Sequence, residues 1–124
     1  MKKITFFCIT NKQINNLEKL NFNLVGVGQD SFSEKYINCK IGENIQFKEK
    51  YYSELTFHYW FWKNMLPKIQ DNKWIGFCAY REYWGNKKKI SINSNLEDLV
   101  IKEIPPEWEK YDTIVGEHFY INDL

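Results

Sequence analysis

The chain has 124 residues, enough for one compact domain that buries roughly two-thirds of its unfolded surface without a disulfide or metal staple. Seventeen basic residues against sixteen acidic ones leave a formal charge of +1, which disfavours a general nucleic-acid binder. Aromatics reach 18%, a load suited to a heavily packed core beside a stacking pocket, and no apolar run approaches the ~18 residues of a membrane span. The opening Met1-Lys2-Lys3-Ile4-Thr5-Phe6-Phe7-Cys8 has too short an apolar stretch, and no small-residue cleavage site, to be a signal peptide. Cys8, Cys39 and Cys78 are widely spaced and show no metal spacing, so they are expected as reduced, buried thiols of a cytoplasmic protein.

Ile4 to Ile9 is an apolar, β-branched run, the pattern of a strand buried on both faces. Thr10-Asn11-Lys12 breaks it, and Ile14, Leu17 and Leu20 then predict a short amphipathic helix over 13–20. Leu24 to Gly28 reads as a second strand, followed by a polar stretch from Gln29 to Lys50 with one short strand or turn near Tyr36 to Cys39. Tyr51 to Met65 predicts a helix, with Ser53 as N-cap, Glu54 in the first turn and Pro67 beyond the far end. Leu55, Tyr59, Trp62 and Leu66 share one flank and Phe57, Trp60 and Phe61 the other, so burial is expected on more than one side. Trp74 to Tyr80 is again a buried strand. Gly85 to Lys89 forms a basic loop, Ile90 to Ile92 an edge strand, Leu96 to Ile101 a short helix and Thr113 to Gly116 a last strand. Strands alternating with helices predict right-handed crossovers and a largely parallel sheet, an α/β architecture.

Ligands of open α/β sheets bind at the carboxyl ends of the strands. The polar residues that follow each apolar run are therefore the candidates: Thr10-Asn11-Lys12, Arg81-Glu82-Tyr83-Trp84, and Glu117-His118. Together they offer cations for an anion and rings for a base, a pocket for a nucleotide-like ligand. Plainer readings stand beside these. Arg81-Glu82 equally reads as a surface ion pair, His58 as a core residue, and His118 as a solvent-exposed one. Lys87-Lys88-Lys89 reads as a solvated loop, and Trp60 with Trp62 as core. Gly26-x-Gly28 lacks the third glycine of a dinucleotide fingerprint, and no Asp-x-Asp metal motif occurs.

Tyr52-Ser53-Glu54-Leu55-Thr56, then Tyr59-Trp60-Phe61-Trp62-Lys63-Asn64, resembles the Tyr-x-Glu-Leu-Thr-x-x-Tyr-Trp-x-Trp-Lys-Asn block of bacterial capsule and lipopolysaccharide glycosyltransferases. The stretch Gly76-Phe77-Cys78-Ala79-Tyr80-Arg81-Glu82-Tyr83-Trp84 is similar to that family's Gly-x-x-His-Tyr-Arg-Arg-Tyr-Phe strand, with Ala79 in place of His and Glu82 in place of the second Arg. The likeness extends to the opening strand and to Tyr111-Asp112-Thr113-Ile114-Val115-Gly116.

The resemblance implies a Rossmann-like GT-A type fold that binds a nucleotide-sugar donor, most simply a UDP-sugar, and passes the sugar to a glycan acceptor. It implies that Thr10 and Lys12 lie near the nucleotide, Glu54 and Lys63 in the helix block, and Tyr80, Arg81 and Tyr83 on the donor rim; the strand-end positions add Asn11, Glu82 and Trp84 to the expected substrate-binding set. A divalent metal, Mn or Mg, is expected as a cofactor of such a donor, and from its place at the strand end, not from the resemblance, Glu82 is the candidate to help hold it. Glycosyltransferases of this kind need about twice this length, so residues 1–124 are expected as one domain, the amino-terminal donor-binding half. The alternative is a truncated or non-catalytic nucleotide-sugar-binding or assembly protein of the same fold. The resemblance further implies a cytoplasmic location, with peripheral attachment to the inner membrane as a variant. A homodimer is expected from the apolar edge that a half-domain leaves open.

Overall fold

The computed structural model describes residues 3–20, 22–85 and 95–116. Four strands form one sheet: β1 (Ile4–Thr10), β2 (Asn23–Gly26), β3 (Tyr36–Asn38) and β4 (Trp74–Ala79). Their order is β3-β2-β1-β4 and every pairing is parallel. The chain thus builds outward from β1 to β3, then returns through helices α1 (Glu49–Tyr52) and α2 (Leu55–Asn64) to add β4 on the other side. This is an α/β Rossmann-like sheet, as the alternation of patterns predicts.

β1 sits at the centre and is buried from Phe6 to Thr10, because both its faces are covered. Alternate side chains point to opposite faces. Phe7 and Ile9 meet α2 through Phe57, Trp60 and Phe61, together with Val25 of β2. Cys8 turns to the other face with Leu17, Leu24, Tyr36 and Cys78, under Tyr80, Tyr83 and Trp84. The first core is aromatic. Phe57 is fully buried, and its ring lies 5.6 Å from Phe7, 5.7 Å from Phe61 and 6.1 Å from Phe77. All three cysteines are unbridged and buried. Cys8 and Cys78 are register partners, and burial pushes the Cys39 thiol up to about 12.

Several expectations are corrected. The helix over 13–20 is a single tight turn, Asn15–Lys19, with only Leu17 buried. Asn15 and Asn16 favour local backbone bonding over helix, and Tyr36 Oη holds the entry by accepting from Ile14 N–H (3.1 Å) and donating to Ile14 O (3.2 Å). The long helix is broken at Ser53, whose φ of 48° and ψ of −124° leave helical space; its side chain makes no cap. Instead its carbonyl accepts from Thr56 N–H (3.2 Å) and Thr56 Oγ1 (2.6 Å). α2 is also buried on one side only. Leu55 and Trp62 are each more than half exposed, because no layer lies beyond the helix among the described residues. Trp60 is core as expected, but Trp62 is not.

The apolar run at Thr113 to Gly116 is irregular rather than a strand. Val115 is 81% exposed, so no sheet neighbour covers it. Helix α3 (Leu96–Leu99) is one turn, and it delivers Val100 and Ile101 to buried positions. Ile101 N–H donates to Trp84 O at 2.9 Å, tying that segment beside β4. The Lys87-Lys88-Lys89 loop, the Ile90 to Ile92 strand, and Glu117 with His118 lie outside the described residues.

Gly76 of β4 pairs with Phe6 of β1, and a Cβ at position 76 would overlap the Phe6 ring. Overpacking of this kind costs about 1–3 kcal/mol. Gly76→Val is expected to lower the urea-unfolding free energy by that amount, and Phe6→Leu in the same chain to restore part of it. An unchanged midpoint for Gly76→Val would show that the ring moves aside freely.

Candidate functional site

The strand order reverses between β1 and β4, since the chain adds β2 and β3 on one side of β1 and then crosses to add β4 on the other. A crevice opens at the carboxyl ends of two such strands. Here it is a cleft of about 370 Å³ lined by Ile9, Thr10 and Asn11 at the end of β1, Ala79 to Glu82 at the end of β4, Val27 after β2, and Ser53-Glu54 before α2.

Six of the ten residues expected at the site line this cleft: Thr10, Asn11, Glu54, Tyr80, Arg81 and Glu82. Thr10 is buried, and its hydroxyl donates to Lys12 O (2.7 Å) and accepts from Lys12 N–H (3.2 Å). Its part is to fix the turn that follows β1 rather than to offer a free hydroxyl. That turn presents Lys12 to the Tyr80 ring, with Nζ 5.4 Å from the centroid. Arg81 packs on the same ring at 4.9 Å. Tyr80 therefore gathers two cations that are distant in sequence. Arg81 is the chain's single arginine, and no carboxylate among the described residues is within ion-pair reach of it, so the Arg81-Glu82 pair is not formed.

The remaining expected residues lie elsewhere. Just past β4 the backbone turns, with Glu82 N–H donating to Ala79 O at 3.1 Å. Tyr83 then points beneath the rim, where its hydroxyl donates to Tyr80 O and its ring stacks on Phe22 at 5.8 Å. Trp84 Nε1 donates to Phe77 O at 2.9 Å, and its ring meets Trp108 edge-on. Both aromatics brace the rim from below. Lys63 is at the opposite end of α2 from Glu54. It lies 3.9 Å over the Trp62 ring and 3.7 Å from Glu43.

The aromatic block of α2 thus divides into two tasks. Its start, Ser53-Glu54, borders the cleft, while its end grips residues 41–43. Tyr59 Oη donates to Glu43 Oε1 (2.6 Å), Trp60 Nε1 to Ile41 O (2.7 Å), and Asn64 Nδ2 to Glu43 O (2.8 Å). Gly42, at φ 84°, is packed against Asn64. Sequence reasoning missed this clamp and missed Val27 and Ser53 as lining residues. The block's regular spacing marked a helix without saying what each end would touch.

A larger hollow of about 510 Å³ runs beside β4 and is lined by Trp74, Phe77, Trp84, Trp108, Tyr111 and Ile114 among others. It lies toward the amino ends of β1 and β4, away from their carboxyl ends, and Lys73 is the one cation among its lining residues. The smaller cleft is the better candidate because it lies at the strand ends where the order reverses, and its lining residues Tyr80 and Arg81 hold Lys12 beside it through the shared Tyr80 ring. Among the described residues no three His, Cys, Asp or Glu side chains gather as a metal site.

His58 is half-buried in α2, its ring 4.7 Å from that of Phe77. Burial holds its imidazole below the ordinary value, against the opposing pull of Glu54. Between the folded and unfolded values, the unfolded chain binds a proton that the folded chain does not. Stability should therefore be full above about pH 6.5 and fall as the pH drops below it. His58→Leu is expected to flatten that slope in unfolding midpoints measured across this range; an identical slope would assign it to other groups. For Ser53, relief of the positive φ makes Ser53→Gly stabilising by about 1 kcal/mol, read as a raised melting temperature. A lowered one would mean that the hydroxyl contributes more than the backbone conformation costs.

With the geometry in hand, comparison with known proteins finds no match among curated proteins and none among solved structures. A family model matches residues 5–123, and the chain belongs to that family, described as a domain of unknown function (DUF4422).

Proposed function

We propose that the cleft binds the nucleoside diphosphate part of a sugar donor, and that the chain is the donor-binding portion of a cytoplasmic glycosyltransferase for bacterial surface polysaccharide. The observation that carries this reading is the pair of cations around Tyr80, Lys12 from the first strand end and Arg81 from the fourth, at the point where the strand order reverses. A guanidinium grips a phosphate through paired hydrogen bonds, and an ammonium adds a point charge beside it. The likeness of the Tyr52 to Asn64 block and the Gly76 to Trp84 strand to capsule and lipopolysaccharide glycosyltransferases supports the donor class.

In transfer, an acceptor hydroxyl oxygen bonds the anomeric carbon as the bond from that carbon to the diphosphate oxygen breaks; the electron pair leaves with the diphosphate, and the hydroxyl proton passes to solvent. Arg81 and Lys12 would stabilise that growing charge from fixed positions, which is where such sites gain most of their rate. Asn11 and Glu82, exposed at the rim, are available to the sugar or ribose hydroxyls. A divalent cation would draw on Glu54 or Glu82 and complete its shell from diphosphate oxygens and water. Ala79 and Glu82, which replace a histidine and an arginine of the resembled strand, favour a second reading in which the donor is bound but not turned over.

Thermal-shift measurements with UDP, GDP and CMP test binding. UDP at a hundred times its Kd adds about 2.7 kcal/mol, a rise of several degrees in Tm. Arg81→Ala should weaken UDP binding about tenfold or more. No shift with any nucleotide would remove the proposal. Release of UDP from a UDP-sugar separates transfer from binding alone.

A further inference from the structure

Residues 46–55 pass just outside the cleft, and their outer face is unusual for a protein surface. Phe47 and Tyr51 are 76% and 78% exposed, and Leu55 and Tyr52 are about half exposed. Two ammonium groups sit among these rings. Lys48 Nζ lies 5.6 Å from the Phe47 centroid and 6.0 Å from Tyr52, and Lys50 Nζ lies 5.9 Å from Tyr51. The inner side of the segment is anchored: Gln46 is buried and accepts from Gly28 N–H at 3.2 Å, and the Glu49 carboxylate packs against Gly28. That anchoring turns Phe47, Tyr51 and both lysines outward. Glu54, the other acid of the segment, lines the cleft instead.

We infer that this face docks on an anionic lipid surface. The chemistry matches the layers of a bilayer boundary. Phe47 and Leu55 have no polar group and suit the acyl margin, the tyrosines place a ring below and a hydroxyl at headgroup depth, and the lysines meet lipid phosphates. A glycan partner would need hydrogen-bond donors and acceptors that Phe47 and Leu55 lack. A second copy meeting this face would gather four lysines in one apolar interface, with Glu49 turned inward to Gly28 and Glu54 in the cleft rather than across from them. With a net charge of only +1 on the whole chain, attraction depends on these local lysines and is short-ranged. The inference stands apart from the nucleotide reading, although docking here would set Ser53 and Glu54, and so the cleft mouth, near the membrane.

The test is co-sedimentation with vesicles of phosphatidylcholine alone and of phosphatidylcholine mixed with phosphatidylglycerol. The chain should partition onto the mixed vesicles, less so in high salt, and not onto phosphatidylcholine alone. Phe47→Ser with Tyr51→Ser, and separately Lys48→Glu with Lys50→Glu, should each reduce partition about tenfold. All four side chains are exposed, so circular dichroism and the UDP thermal shift should match those of the unchanged chain. Absence of partition onto anionic vesicles, or equal partition by the variants, would overturn the inference. So would self-association that the Phe47→Ser, Tyr51→Ser chain loses, since the face would then belong to a second copy. A UDP response that fails in every chain while vesicle binding persists would strike the nucleotide reading alone.

Discussion

A strand paired in parallel on both edges has no hairpin at either end, so the chain must leave its carboxyl terminus by a loop. β1 is that strand. It carries β2 on one side and β4 on the other, and the chain builds outward through β2 to β3 before crossing over to β4. The gap this leaves at Thr10 and Ala79 is the cleft. Everything placed at its mouth follows from holding β1 in the middle: the turn at Thr10 that carries Lys12, the turn at Ala79 that carries Arg81, and the start of α2 that carries Glu54. The aromatic packing of Phe7, Phe57, Phe61 and Phe77 secures β1 against α2 and so fixes the distance between these three contributors.

The motif block in α2 shows how one short segment can serve fold and site together. Its buried stripe closes one face of the sheet. Its polar ends do different work: Tyr59, Lys63 and Asn64 fasten residues 41–43, and Ser53-Glu54 edge the cleft. A helix held at its far end by several hydrogen bonds keeps its near end in register with the strand ends. Ser53 bears the only break in this run, and its positive φ turns the aromatic–lysine segment 46–52 away from the helix axis.

The strands of the core were legible in the sequence because apolar runs of the right length left little choice for β1, β2 and β4. The break at Ser53 was not. A positive φ at a serine leaves no compositional mark, where a glycine would have. Nor could the run Thr113-Ile114-Val115 be told from a strand, since a strand also needs a partner edge, and composition says nothing of that. At the site, strand-end reasoning picked out Thr10, Asn11, Arg81 and Glu82, which line the cleft, because a position after a strand is a position in space. It overreached for Tyr83 and Trp84. One turn at Ala79 to Glu82 reverses the chain and converts rings expected on a ligand into props under Tyr80 and Phe77. Tyr80 as the meeting point of two cations depended on the β1–β4 register and was visible only in three dimensions.

The cleft and the hollow beside β4 compete for any ligand, and they carry different reporters. Arg81 is the single arginine, so its Nε–H resonance is unambiguous, while Trp84 and Trp108 supply indole signals in the larger hollow. Titrating 15N-labelled chain with UDP and following both sets by NMR tests the account most directly. It predicts that the Arg81 resonance moves with saturation while the two indoles stay in place. Movement of the indoles with Arg81 unchanged would contradict it.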